Sequence, residues 1–169
     1  MGCEAKDTKP VRQKAFLAGC CGTQDELSSV RENLQELREL VDTLGVETCG
    51  EMAVRLREIN PRYYLGTGKA EELRAAAEEA EADVIIFDDA LGPTQQRNLE
   101  RLCKKKVIDR QEVILDIFAE RAWTREAVLQ VELARCRYFL PRLTGAWSHL
   151  SRQRGGNTGA RGEGEKQIE

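Results

Sequence analysis

Arginine and glycine accumulate together near the C-terminal end of this sequence. Between positions 135 and 161 there are six arginines and no aspartate or glutamate. Arginine offers a planar fork of donors that binds phosphates and stacks on bases, while glycine lets a backbone approach a nucleic acid closely. The combination indicates a polyanionic partner and favours RNA over an acidic protein. The residues expected to contact it are Arg142, His149, Arg152, Arg154, Gly155, Gly156, Gly159, Arg161 and Gly162.

The distribution of charge along the chain supports this prediction. The net charge is -3, but residues 1–120 carry 17 basic and 24 acidic side chains, whereas residues 121–169 carry 9 and 5. If about five phosphates are neutralised, RNA binding should weaken on the order of 10² to 10³-fold between 50 and 200 mM salt. The simpler alternative is a solvated helix face followed by a disordered tail.

A short glycine loop, with Gly66, Gly68 and Lys69, is a second candidate site. A Walker A loop requires a glycine five positions before the Gly-Lys pair and a hydroxyl residue after it. Tyr63 and Ala70 occupy those two positions, so this loop is not a Walker A motif. Its backbone amides and Lys69 could still bind an anion where a helix begins, and the alternative is a tight turn that starts that helix.

Two neighbouring carboxylates, Asp88 and Asp89, follow a predicted strand. Open α/β sheets bind ligands at the carboxyl ends of their strands, and a carboxylate pair there is a weak candidate for hydrated Mg²⁺. The alternative is that they cap the next helix or pair with an arginine. Together with the glycine loop, they define a second possible function, a small α/β module or enzyme that binds ATP or GTP. No catalytic residue is assigned.

The composition restricts the class of protein. The 169 residues are 41% hydrophobic and 33% charged, with no apolar run long enough to span a membrane and no secretory signal, which is typical of a soluble globular protein. The six cysteines form no C-x-x-C pair, and the single histidine lies far from them in sequence. We therefore expect a reduced, cytoplasmic protein without a metal site.

Short apolar runs alternate with segments of helical periodicity from residue 15 onward. The runs at 15–20, 46–52, 83–88 and 107–108 predict strands, and the segments between them predict helices at 27–44, 69–80 and from Pro93. This order predicts an α/β fold, a small parallel four-stranded sheet flanked by helices. Helices follow at 111–122 and at 124–140, where we expect Pro141 to end the second.

The last predicted helix has an apolar stripe too wide for a single contact surface. Something must pack there, and an exposed stripe invites self-association through this helix. The predicted organisation is a disordered lead-in at 1–13, an α/β domain at 14–110, a helical extension at 111–143, and a Gly/Arg-rich RNA-contacting loop with the start of a second helix at 144–169.

Ordered blocks covering residues 14–169 resemble the N-terminal domain of HflX-type translational GTPases. The blocks are YLGTGK at 64–69, FDD at 87–89 with Leu91 and Gln95, VIDR at 107–110, ILDIFA at 114–119, LQVELA at 129–134, LPRL at 140–143, SR at 151–152 and GARGEGE at 159–165.

The resemblance implies a cytoplasmic, ribosome-associated GTPase of the stress response. Family members bind the large ribosomal subunit and split stalled or idle ribosomes, with a glycine-rich loop that reaches 23S rRNA near the peptidyl transferase centre. The matching positions are 151–165. The resemblance also implies a second long helix, begun at residues 165–169, that would cover the apolar stripe of the helix at 124–140, so the extension here is an incomplete helical hairpin. The resemblance also implies that this domain contacts adenine nucleotides. Arg154, Glu163 and Lys166 depart from the family pattern, which alters the shape and charge of the loop.

The resemblance also bears on catalysis. Family members continue into a G domain that carries a true Walker A motif, and none occurs in these 169 residues. We therefore expect this polypeptide alone not to hydrolyse GTP and to hold no cofactor, with GTP and Mg²⁺ bound only where the G domain is present.

Overall fold

A computed structural model describes residues 13–22 and 27–153, with side chains placed over 13–22 and 28–143. Four strands form one parallel sheet in the order β2-β1-β3-β4. The elements, in chain order, are β1 Lys14–Cys21, α1 Leu27–Thr43, β2 Glu47–Arg55, α2 Thr67–Glu79, β3 Val84–Phe87, α3 Pro93–Cys103, β4 Lys106–Asp109, α4 Arg110–Arg121 and α5 Arg125–Gln153. The predicted α/β fold with a four-stranded parallel sheet and a long helical extension is confirmed.

Both faces of the sheet are covered, which explains why its strands are apolar throughout. Side chains alternate between faces along a strand, so Phe16 and Ala18 of β1 pack towards α2 and α3, while Ala15 and Leu17 pack towards α1 and α4. All four residues of β3 are buried. The result is a three-layer α/β/α body with one apolar cluster on each side of the sheet.

Two glycines determine where α1 ends and how closely it packs against β1. Gly45 follows α1 with φ +70°, the left-handed conformation that glycine adopts without strain and that ends a helix. At Gly19 of β1, a Cβ atom would lie 2.9 Å from Val30 Cγ1 and 3.0 Å from Leu34 Cγ, both on α1. The helix therefore lies directly on the strand backbone at this position.

Helix α5 leaves the sheet and packs against α4 and α3. The prediction that Pro141 ends this helix is wrong, because α5 continues through Pro141 to Gln153. Proline removes one N–H donor and crowds the preceding turn. Around this turn, Arg142 Nη1 donates to the Tyr138 carbonyl of the same helix at 2.9 Å, and Arg97 Nη2 of α3 donates to the Arg142 carbonyl at 3.2 Å.

In the described part of the chain, none of the helices combines the length and apolar character needed to cross a bilayer.

Candidate nucleic-acid interface

The predicted RNA-contacting residues lie on and after the end of α5. Helix α5 has 29 residues, which is a length of about 43 Å, and about 16 Å of it lies beyond Arg142. His149 and Arg152 belong to this helical part. The remaining predicted contacts lie outside the described residues: Arg154, Gly155, Gly156, Gly159, Arg161 and Gly162. A regular helix thus leads from the α/β body to the start of the Gly/Arg-rich segment.

A buried carboxylate, Asp109, is the centre of the attachment of α5 to the body. Asp109 ends β4, is 1% exposed and caps α4 by accepting a hydrogen bond from the Glu112 amide at 3.1 Å. Its other oxygen, Oδ2, accepts from the Leu91 amide at 3.2 Å. Asp109 therefore ties together the ends of β3 and β4 before α5 contributes anything.

Two side chains of α5 complete this cluster. The Tyr138 hydroxyl donates to Asp109 Oδ1 at 2.8 Å, and Arg142 Nη2 lies 3.1 Å from Asp109 Oδ2 and donates to the Leu91 carbonyl at 3.0 Å. The Arg142 guanidinium also lies 3.5 Å from the centre of the Tyr138 ring. We call Asp109, Tyr138 and Arg142 the anchor.

Helix α3 binds the other side of the same guanidinium. Arg142 Nε donates to Gln96 Oε1 at 2.7 Å, while Gln96 Nε2 donates to the Val107 carbonyl of β4 at 2.7 Å. Arg142 thus bonds to α3, to the segment after β3, to β4 and to its own helix. Arg142 was predicted to contact RNA. In the structure it joins α5 to the α/β body, and its contact with RNA stays a prediction.

The electrostatics of the anchor favour one arrangement. Burial and the neighbouring Asp109 raise the pKa of Tyr138, so the phenol keeps the proton that it donates. Breaking a buried charge pair by removing one partner typically costs about 3 to 5 kcal/mol, because the remaining charge is left uncompensated. Separating α5 from the sheet at the anchor would therefore leave the buried Asp109 carboxylate without its cation.

Sequence reasoning did not identify the anchor. Asp109 and Glu112 have the spacing of a capping box, a signal that could have marked Asp109 as the N-cap of α4. Its pairing with Tyr138 and Arg142 spans 29 and 33 residues. No local pattern encodes that contact.

The glycine loop lies at the beginning of α2. Gly66 is the N-cap residue in an extended conformation without a side-chain cap, and Gly68 lies in the first turn with open space where a Cβ would be. The Lys69 ammonium pairs with Glu72 of the same helix at 2.5 Å. The structure thus places these residues on the surface, and anion binding by them stays a prediction.

The two aspartates that follow β3 have different surroundings. Asp88 pairs with Arg110 at 2.9 Å, which was the structural alternative to metal binding. Asp89 lies beside Tyr64 and Cys20, and burial raises the pKa of all three, while hydrogen bonding from Tyr64 and Cys20 favours the Asp89 carboxylate. Within residues 13–22 and 27–153, no group of three histidine, cysteine or acidic side chains is arranged to hold a metal ion.

Comparison with known proteins gives the class of this chain. The family model described as GTP-binding GTPase N-terminal matches residues 31–119, and the model described as GTP-binding GTPase Middle Region matches residues 121–169. The α/β body and the helical extension therefore correspond to the N-terminal and middle regions of a GTP-binding GTPase.

Curated relatives narrow this class to one family. The chain is 47% identical over 163 residues to the GTPase HflX of Escherichia coli K12, covering 96% of this chain and 37% of that protein. It is 46% identical over 153 residues to the GTPase HflX of Akkermansia muciniphila, covering 90% and 35%. The chain belongs to the HflX family as an N-terminal region, and it spans little more than a third of the length of these relatives.

Solved structures support the fold. A GTP-binding protein from Sulfolobus solfataricus in complex with GDP has a TM-score of 0.58 and 23% identity, covering 84% of this chain and 42% of that one. A complex of SsGBP and GDP has a TM-score of 0.60 and 20% identity, covering 89% and 48%. At these identities the similarity shows the fold alone.

Proposed function

We propose that this chain is the ribosome-binding part of an HflX-type GTPase. In this proposal it binds the large ribosomal subunit through 23S rRNA near the peptidyl transferase centre and helps to split or recycle stalled ribosomes in the cytoplasm under stress. The observation that carries the proposal is the anchored helix α5, which joins a packed α/β body to an arginine-rich segment.

The anchor supports this role through preorganisation. A segment held on a fixed helix loses less conformational freedom on binding than one on a flexible linker, so more of its interaction energy appears as affinity. Because Asp109, Tyr138 and Arg142 hold α5 from within the body, the direction of the helix is set before RNA is met. The Gly/Arg-rich residues that follow α5 then search a smaller volume for their RNA contacts than they would on a flexible linker.

The contacts inside the chain reduce the number of arginines expected to bind phosphate. Arg135 pairs with Asp116 of α4, and Arg142 belongs to the anchor. Arg152, Arg154 and Arg161 remain from the predicted set. About three phosphates at a slope of roughly 0.7 to 0.9 each correspond to a loss of about 20- to 40-fold in affinity between 50 and 200 mM salt. This replaces the larger loss expected from five contacts.

GTP and Mg²⁺ have no assigned residue here, because the 169 residues contain no Walker A motif. We therefore assign nucleotide hydrolysis to the part of the relatives that this chain does not cover. Ribosome binding is the activity to test on this chain.

A filter-binding titration against purified large subunits tests the proposal. Changing Arg152, Arg154 and Arg161 together to alanine should weaken binding by at least about tenfold at low salt. The matched control changes three exposed arginines of the α/β body, Arg31, Arg57 and Arg101, and should leave the affinity within about twofold. Equal affinities for the two triple variants would overturn the assignment of the C-terminal segment to RNA.

A further inference from the structure

Residues 88–92, which join β3 to α3, take part in the attachment of α5. Leu91 is buried, its amide donates to Asp109 Oδ2 at 3.2 Å, and its carbonyl accepts from Arg142 Nη2 at 3.0 Å. Both partners belong to the anchor. A displacement of Leu91 would therefore lengthen bonds to both charged members of the anchor. We call residues 88–92 the linking segment.

The linking segment also carries a buried carboxylate oxygen, Asp89 Oδ2, which lacks a hydrogen-bond partner in the described part of the chain. The titratable groups that face Asp89 are Tyr64 of the loop before α2, Cys20 of β1 and Asp88 of the segment itself. Tyr64 has φ +67°, a conformation that side chains other than glycine rarely adopt, and its amide and carbonyl both bond to Asn60, at 2.8 and 3.0 Å. The side of the cluster opposite the segment is therefore held in place.

Ionisation of Asp89 changes the balance of forces on the linking segment. Burial raises the pKa of Tyr64 and of Cys20, so both keep their protons in weakly acidic and neutral solution, and Asp88 pairs with Arg110 at 2.9 Å. The ionised Asp89 is then a partly buried charge next to the Asp88 carboxylate. Because Tyr64 is held by Asn60, the carboxylate gains solvation by an outward movement of the segment.

We propose that the linking segment couples the protonation of Asp89 to the attachment of α5. While Asp89 is neutral, the segment stays packed and Leu91 keeps both of its bonds to the anchor. Once Asp89 is ionised, the outward movement of the segment weakens those bonds, and α5 detaches more often. Ala90 is the single residue between Asp89 and Leu91, so the chain has little length in which to absorb the movement.

The sign of the coupling follows from the two states of Asp89. Its pKa is raised in the anchored fold and returns towards the ordinary value of 3.8 when the segment has moved into solvent. The anchored state therefore binds this proton more tightly, and α5 is attached most firmly at low pH and less firmly as the pH rises through the raised pKa. Coupling of this kind typically changes an equilibrium constant by about 5- to 150-fold. The coupling belongs to the fold alone, whereas any effect of pH on ribosome binding would rest on the proposed function.

Amide hydrogen exchange of the full 169-residue chain between about pH 4.5 and 7.5, corrected for the intrinsic effect of pH on exchange, tests the coupling. Residues 138–143 of α5 should exchange through a local opening that is more frequent than the opening of residues 30–37 of α1. This opening should increase by about fivefold or more as the pH rises. Asp89→Asn should remove the increase, and Asp42→Asn, on an exposed position of α1, should keep it.

Three results would overturn the proposal. The first is an opening of α5 that does not change with pH in the wild type, and the second is an equal increase in Asp89→Asn. The third is exchange of α5 only together with α1, because α5 would then never detach separately.

A second variant tests the route and leaves Asp89 in place, which also covers the case in which Asp89→Asn fails to fold. Ala90→Gly adds backbone freedom between Asp89 and Leu91, so it should reduce the increase at α5 to less than about half. Ala53→Gly, on an exposed position of β2, is the matched control and should keep the full increase. An increase as large in Ala90→Gly as in the wild type would mean that the linking segment does not transmit the charge, and would overturn the proposal.

Discussion

Asp89 is held in surroundings that disfavour its charge. Its Oδ2 atom is buried and has no hydrogen-bond partner among the described residues, and burial raises the pKa of the carboxyl group. The folded state therefore holds this proton more tightly than the unfolded state does. The stabilising contribution of Asp89 is present at low pH and is lost as the pH rises through the raised, folded pKa.

Replacing Asp89 by asparagine removes this titration. The stability of Asp89→Asn relative to the wild type should increase between about pH 3.5 and pH 7, because only the wild type has to ionise a buried group. Urea unfolding at the two pH values measures the difference. Asp42→Asn, on an exposed position of α1, is the matched control, and an equal response in both variants would contradict the account.

The thiols should differ sharply in reactivity, since the thiolate is the reactive form. Burial raises the pKa of Cys103 to about 11 and also raises the pKa of Cys20, whereas Cys136 is exposed. Iodoacetamide at about pH 8, followed by peptide mass mapping, should label Cys136 well before Cys20 or Cys103. Labelling of Cys20 at the same rate would mean that the end of β1 is open to solvent.

At the scale of elements, the close contact of α1 with β1 predicts the effect of a single methyl group. Gly19→Ala should destabilise the fold by about 1 to 3 kcal/mol, because the new Cβ would meet Val30 and Leu34 at 2.9 and 3.0 Å. Gly68→Ala, where the first turn of α2 has open space, should instead stabilise by roughly 0.5 to 1 kcal/mol. Thermal unfolding of both variants checks the contrast; two changes of the same sign would contradict it.

The anchor gives a second prediction at this scale. Arg142→Met should cost about 3 kcal/mol, because it leaves the Asp109 carboxylate buried without its cation. Amide hydrogen exchange should then be faster along α5. Arg121→Met, an exposed arginine in the last turn of α4, serves as the control and should change stability by less than about 0.5 kcal/mol.

Elements with a clear apolar periodicity could be predicted from the sequence, while their long-range ties could not. The apolar run of β3 is buried throughout, and the stripe of α1 repeats every three to four residues; a local window contains both patterns. Where α5 continues past Pro141, its contacts come from Arg97 and Gln96 of α3, more than forty residues away. The anchor was missed for the same reason, since Asp109 and Arg142 meet only in the folded chain.

The whole molecule divides into a part that positions α5 and a part that binds. The α/β body and the anchor set the direction of α5, and Arg152, Arg154 and Arg161 provide the charge that meets RNA in the proposed function. Substitutions in the two parts should therefore affect different properties. Arginine changes in the C-terminal segment should alter the electrostatic component of binding without altering stability, whereas changes in the anchor should alter both.

The salt dependence of binding to large ribosomal subunits tests this division most directly. A plot of log Kd against log salt should have a slope of about 2 to 3 for the wild type, and changing Arg152, Arg154 and Arg161 to alanine should lower that slope by about 2. The control with Arg31, Arg57 and Arg101 changed should keep the wild-type slope. The same slope in all three proteins would contradict the claim that the segment following α5 binds ribosomal RNA.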